Sequence, residues 1–270
     1  MKQIIIIILL VTIYMLIKKN SINEYFDNDH NTKTDYRKFK KTLNKYKGKK
    51  KYILVFSAGP TLKNFKKTDI PNYVWDDCYV IAVKNCINLL CKHNIIPDFL
   101  VTNFIGAANR INHDLIDKHK PLFIGLDAGE IPKLIKKVDF MISINWKENY
   151  MDNVARNIKD IEFKNKNKDN KIYTGWGHVM MELAIPLCLF LKPKNIITIG
   201  WDVTNSNDYW NSKKETFKVG INWSNENDII KQFSVHLHKF LLDNYGITIN
   251  KINNNSGIKI PLFKSMSNKS

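Results

Sequence analysis

Arginine is almost missing from this chain: three of its 42 basic residues are arginines (Arg37, Arg110, Arg156), although the formal net charge is +17. Bidentate reading of phosphates and base edges relies on guanidinium groups. A lysine-only surplus without a nucleic-acid motif therefore argues against a nucleic-acid binder. The basic surface still suits an anionic nucleotide ligand. Cysteine is also scarce. Cys78, Cys86, Cys91 and Cys188 form no C-x-x-C, which excludes a zinc site of familiar spacing and a disulfide framework at this length. No internal repeat occurs, which excludes a solenoid. The 44% of hydrophobic residues is ordinary for a globular protein, and 270 residues are ample for a core.

Residues 3–17 form the one long uncharged apolar run, flanked by Lys2, Lys18 and Lys19. It is short for a spanning helix, which takes roughly 20 residues. No small-residue cleavage site follows it, so residues 1–19 read as an uncleaved signal-anchor: an N-terminal hydrophobic helix and a single-pass membrane attachment. Residues 20–50 are charged and read as a polar stem, with a short helix near residues 36–46.

From residue 51 the pattern changes. Short apolar runs at 52–56, 78–83, 99–102, 122–125, 140–143, 195–200 and 247–250 are bounded by turn residues and read as buried strands. Segments of helical length lie between them, notably 177–191 and 227–244. Residues 163–171 are low in complexity and read as a solvated loop. Alternating strands and helices give an α/β fold over 51–265, Rossmann-like, with a mainly parallel sheet covered by helices on both faces. Ligands of such sheets sit outside the strands' carboxyl ends.

Three motifs converge on that edge. Ser57-Ala58-Gly59-Pro60-Thr61-Leu62 follows the first strand and allows backbone N–H groups to approach a phosphate, as well as a plain tight turn. Tyr173-Thr174-Gly175-Trp176-Gly177-His178 precedes an apolar helix and allows the same two readings. Gly200-Trp201-Asp202 ends a strand with a lone acid, suited to sugar hydroxyls or to capping a helix.

Together these residues resemble the bacterial sialyltransferases of glycosyltransferase family 42, a GT-A-variant fold, and more loosely the related MptE-like domains. The sialyltransferase signature G-x-G-P-S-L is approached by Ser57 to Leu62, with Ser57 in place of the first glycine. Asn85 and Asn103 stand where those enzymes place nucleotide-contacting asparagines. Thr174, Gly175 and Gly177 resemble the T-S-G that holds the nucleotide, Asp202 matches G-x-D, and Tyr209 lies near a phosphate-contacting tyrosine. Ile96-Pro97-Asp98 is instead more MptE-like.

The sialyltransferase resemblance implies a membrane-anchored transferase using a nucleotide-sugar donor, a CMP-sugar above all, and a glycan acceptor. Its nucleotide site would be Gly59, Pro60, Thr61, Asn85, Asn103, Thr174, Gly175, Gly177, Asp202 and Tyr209. It implies no obligatory metal, and no D-x-D motif occurs in residues 51–265. The family's lid histidine is absent: its place falls near Asn225, which leaves His178 and His236 as weak substitutes for the general base. The MptE-like resemblance implies instead an ATP-dependent diphosphokinase requiring Mg²⁺. A third reading is an inactive nucleotide- or sugar-binding relative.

Overall fold

The computed structural model describes residues 35–103, 110–127, 137–144, 164–165, 172–174, 179–203, 223–253 and 257–264. The expected signal-anchor and its hydrophobic helix lie outside them. Among the described residues no helix is long and apolar enough to cross a membrane.

In chain order the elements are α1 (Tyr36–Leu43), β1 (Tyr52–Phe56), α2 (Asn72–Trp75), β2 (Cys78–Val83), α3 (Cys86–Lys92), β3 (Phe99–Asn103), α4 (His113–His119), β4 (Leu122–Asp127), β5 (Phe140–Ile144), β6 (Lys164–Asn165) and β7 (Ile172–Thr174). A π-helical stretch (Met180–Ala184) leads into α5 (Ile185–Leu191), followed by β8 (Asn195–Ile199), α6 (Trp223–Tyr245) and β9 (Thr248–Lys251). The strands form one nine-stranded sheet in the order β6-β7-β5-β4-β3-β2-β1-β8-β9. Each neighbouring pair is parallel except β6 with β7. The α/β reading holds.

Strand alternation builds two cores, because successive side chains face opposite sides of a sheet. On one face Ile53 and Val55 of β1 join Tyr79, Ile81 and Val83 of β2 under α1, α5 and α6. On the other face Tyr52, Leu54 and Phe56 join Val80 and Ala82 under α2, α3 and α4. Helices thus cover both faces, and β1 and β2 are apolar along their whole length.

The structure corrects the reading of residues 20–50 as a stem over the part it describes. Phe39 and Leu43, four apart on α1, are fully buried. Phe39 meets the ring of Phe140 edge-on at 5.2 Å, and Tyr46 meets Phe99 at 5.0 Å. Two apolar anchors one helical turn apart, with Tyr36 packed partly beside them, suffice to bury a helix whose other positions are lysine, arginine and threonine. Asp35 caps it, accepting from the backbone N–H of Arg37 at 2.7 Å.

The amino edge of the sheet is fastened by acids that immediately precede strands. Asp98, before β3, accepts from the N–H of Val80 at 2.8 Å, and Asp139, before β5, accepts from Phe123 at 2.8 Å. Asp139→Ala removes this acceptor and should cost about 1–2 kcal/mol. A thermal melt should show a drop of a few degrees, with Asp139→Asn retaining most of the stability because its amide oxygen can accept the same bond.

Candidate functional site at the carboxyl edge

From β1 the chain moves outward through β2, β3, β4, β5 and β7, then returns to place β8 on the other side of β1 and continues to β9. The strand order therefore reverses between β1 and β8. In open parallel sheets this switch point is where loops diverge and a crevice opens for ligand. Two of the three sequence motifs meet there.

The turns after β1 and β8 interlock. Ser57 donates its N–H to Ile199 O and Gly59 to Gly200 O, both at 2.8 Å. A Cβ on Gly59 would collide with the Gly200 carbonyl oxygen and the Asp202 carboxylate. Gly200 has φ +70°, and a Cβ there would strike the Ser57 carbonyl oxygen. Close backbone approach thus requires glycine at both positions. Pro60 opens a 3₁₀ turn (Pro60–Asn64) with Gly59 as its N-cap.

Asp202 is 2% exposed. Its carboxylate accepts from the Thr61 N–H at 2.7 Å and the Thr61 hydroxyl at 2.5 Å. Burial pushes its carboxyl pKa up, while the two Thr61 bonds and the charge of Lys251 pull it back. The hydroxyl and N–H that the sequence suggested for a phosphate therefore hold a carboxylate of the protein itself. Asp202, read from the sequence as a sugar-hydroxyl acceptor or helix cap, spans the switch point.

Asn85 and Asn103 stand at the ends of β2 and β3. Asn85 is 1% exposed, and its side-chain carbonyl oxygen has no hydrogen-bond partner among the described residues. Asn103 is also buried, and its backbone carbonyl accepts from the Thr102 hydroxyl at 3.0 Å. Backbone strain concentrates at this edge. Asn94, Lys120 and Lys192 have positive φ at helix ends, an ordinary place for it. Lys84 (φ 57°), directly before Asn85, and Val203 (φ 45°), directly after Asp202, are not helix caps. A β-branched residue in this region is uncommon and marks a position that its surroundings dictate.

The remaining candidates are more scattered. Thr174 ends β7, at the same edge but six places from β8 in the strand order. Gly175, Gly177, His178 and Tyr209 lie outside the described residues. Asn225 falls in the first turn of α6. His236 is exposed midway along α6, whereas its neighbour His238 touches the Ile249 carbonyl oxygen at 3.1 Å. Neither histidine joins the switch-point residues in any described contact.

Sequence reasoning missed Lys84, Val203 and Asp127. The fourth strand runs to Asp127 rather than stopping at residue 125, which puts an acid at its carboxyl end. Lys84 carried a signal, since a polar residue directly after a buried strand lies at the ligand edge of a parallel sheet.

Comparison with known families gives one finding that bears on this geometry. A family model described as "6-hydroxymethylpterin diphosphokinase MptE-like" matches residues 23–208. That is the second of the two resemblances noted in the sequence. The matched span holds β1 to β8, and with them both turns of the switch point. No curated protein matches the chain.

Proposed function

The chain belongs to the MptE-like family, and from that premise we propose that it is a nucleotide-dependent phosphotransferase of the diphosphokinase type. In this reading ATP lies across the carboxyl edge, and its terminal diphosphate passes to a primary alcohol such as a hydroxymethyl group on a heterocycle. AMP leaves, and the alcohol proton departs to solvent or a nearby base. The observation that carries the reading is the switch point: Gly59, Thr61, Gly200 and Asp202 are locked together where the strand order reverses. The buried oxygen of Asn85 at the same edge, without a partner among the described residues, supports it, since a buried acceptor left unpaired is costly and a ligand could satisfy it.

Each residue then has a task. Gly59 and Gly200 let the two turns close on one another and so shape the edge along which the phosphates would lie. Asn85 offers its carbonyl oxygen to an exocyclic amine or ribose hydroxyl. Thr61 fixes the orientation of Asp202.

Magnesium is the ion such a reaction requires, where it neutralises phosphate charge. Among the described residues no group of three or more His, Cys, Asp or Glu gathers to cage a metal. One or two carboxylates plus substrate phosphates are the usual magnesium ligands, and Asp202 fits that role. Each of its oxygens accepts one bond from Thr61 and keeps a further lone pair.

The test is a thermal-shift screen of the full chain with ATP, AMP and CMP, with and without Mg²⁺. A ligand at about 100 times its Kd should stabilise by about 2.7 kcal/mol. A shift with ATP that needs Mg²⁺, followed by release of AMP in the presence of a hydroxymethyl acceptor, is the expected result. A shift with CMP independent of Mg²⁺ would favour the nucleotide-sugar transferase instead. No shift with any of the three would leave the inactive relative as the best account.

A further inference from the structure

The outer surface of α1 and of the turn after it is cationic throughout. Between residues 37 and 49 every basic side chain, Arg37 and six lysines, is exposed, and no acid occurs. The acid just before them, Asp35, is taken up by the helix cap, where it accepts from the N–H groups of Arg37 and Lys38 at 2.7 and 3.3 Å. Two of the lysines lie over aromatic rings, Lys40 over Tyr36 and Lys47 over Phe190. None of the seven forms an ion pair among the described residues. Phe39 and Leu43 pin the helix to the core, so these charges form a face of the folded domain and not a loose tail.

The face lies at the amino edge of the sheet. Phe39 meets Phe140, the first residue of β5, and Tyr46 meets Phe99, the first residue of β3. The Gly48 N–H reaches the last residue of α5, and the exposed Lys192 and Lys194 follow directly. The acids of this edge are occupied elsewhere. Asp98 and Asp139 hold the backbone N–H groups of Val80 and Phe123, and Asp76 and Asp77 lie beside Lys50 and Lys51.

We infer that α1 and the turn after it dock on the anionic surface of a lipid bilayer. Charge complementarity is the first argument, since basic clusters on an amphipathic helix are attracted to an anionic leaflet within a Debye length. The second is the apolar run of residues 3–17 in the same chain, because an apolar segment and a polybasic face reinforce one another at a bilayer. Nucleic acid fits less well, with one arginine among the seven. The inference does not rest on the phosphotransferase reading. It turns the amino edge toward lipid and leaves the carboxyl edge, with Asn85 and Asp202, facing water.

The experiment is co-sedimentation of the full chain with phosphatidylcholine vesicles, pure or holding about one part phosphatidylserine in three. Ile6→Asn, Leu9→Asn and Ile13→Asn together interrupt the apolar run, so that the remaining binding reports the folded domain. In this background the chain should bind the anionic vesicles and not the neutral ones, and raising salt from about 0.05 to 0.5 M should weaken binding at least tenfold. Adding Lys38→Gln, Lys41→Gln and Lys45→Gln should weaken it about a hundredfold, or about fivefold per lysine. Lys41→Gln alone, expected at about fivefold, covers a triple variant that melts early. Lys63→Gln, Lys259→Gln and Lys264→Gln remove the same charge from exposed positions near the carboxyl edge and should stay within about twofold. No binding to anionic vesicles, equal binding to both kinds, or an equal loss in the two triple variants would overturn the proposal. Tighter binding to a duplex oligonucleotide than to anionic vesicles, lost with the three helix lysines, would overturn it in favour of nucleic acid. Each of these results leaves the phosphotransferase reading intact.

Discussion

Asp202→Ala should unfold the protein several degrees early, whereas Asp202→Asn should not. Alanine removes both acceptors of Thr61 and leaves a buried N–H and hydroxyl unpaired, a cost of about 2–4 kcal/mol. At about 2–4 °C per kcal/mol for a domain of this size, the melting temperature should fall by roughly 5–15 °C. Asparagine can accept from the Thr61 N–H and donate to its hydroxyl, so the interlocked turns survive. The pair also differs in pH response. Burial raises the Asp202 carboxyl above its ordinary value, so the folded state holds the proton more tightly than the unfolded state. Its favourable contribution is present at low pH and is lost as pH climbs from the unfolded value of about 4 through the raised folded value. Asp202→Asn should flatten that part of the stability profile, and the share due to Asp98, shifted in the same direction by its own burial, should remain. Melts between pH 3 and pH 8 check this. If the asparagine variant loses as much stability as alanine at neutral pH, the hydrogen-bond account of the Thr61 clamp is wrong. With the fold retained, loss of the Mg²⁺-dependent ATP shift in Asp202→Asn would assign the carboxylate to the ligand.

The second large effect concerns α1. Phe39→Ala should cost about 3–5 kcal/mol, the usual range for emptying a fully buried aromatic position. The melting temperature should drop by roughly 6–20 °C. Removing residues 1–50 should do more, since Leu43 leaves with Phe39, and Tyr46 no longer covers Tyr79 and Phe99. The turn after α1 is also tied to the end of α5 by the Gly48 N–H on Leu191 O at 2.8 Å. A melt of the shortened chain within a degree or two of the full one would restore the stem reading for this segment.

Most strands were legible in the sequence, the edge strand β9 among them, but the short strands at the opposite edge were not. β1 and β2 begin and end where their apolar runs do, because strands buried on both faces must be apolar throughout. β6 and β7 escaped because they are two and three residues long, and β6 lies in the lysine- and asparagine-rich stretch read as a loop. α1 was legible as a short helix near residues 36–46, but its burial escaped, because half of its residues are charged and only its spacing points to a core. At the site, the sequence pointed to Gly59, Thr61 and Asp202 as separate candidates. Their mutual contact spans 141 residues of chain, a relation that no local pattern carries.

The sheet's connectivity also bears on how the protein is made. β1 is a central strand, hydrogen-bonded to β2 on one side and β8 on the other, yet β8 begins 139 residues after β1 ends. At about 5–20 residues per second of synthesis, one flank of β1 stays bare for roughly 7–28 seconds after the strand emerges. During that interval a fully apolar strand edge is exposed, the kind of surface that recruits other chains. Expression yield should therefore depend on translation speed and holdase chaperones more than the melting temperature of the finished protein would suggest.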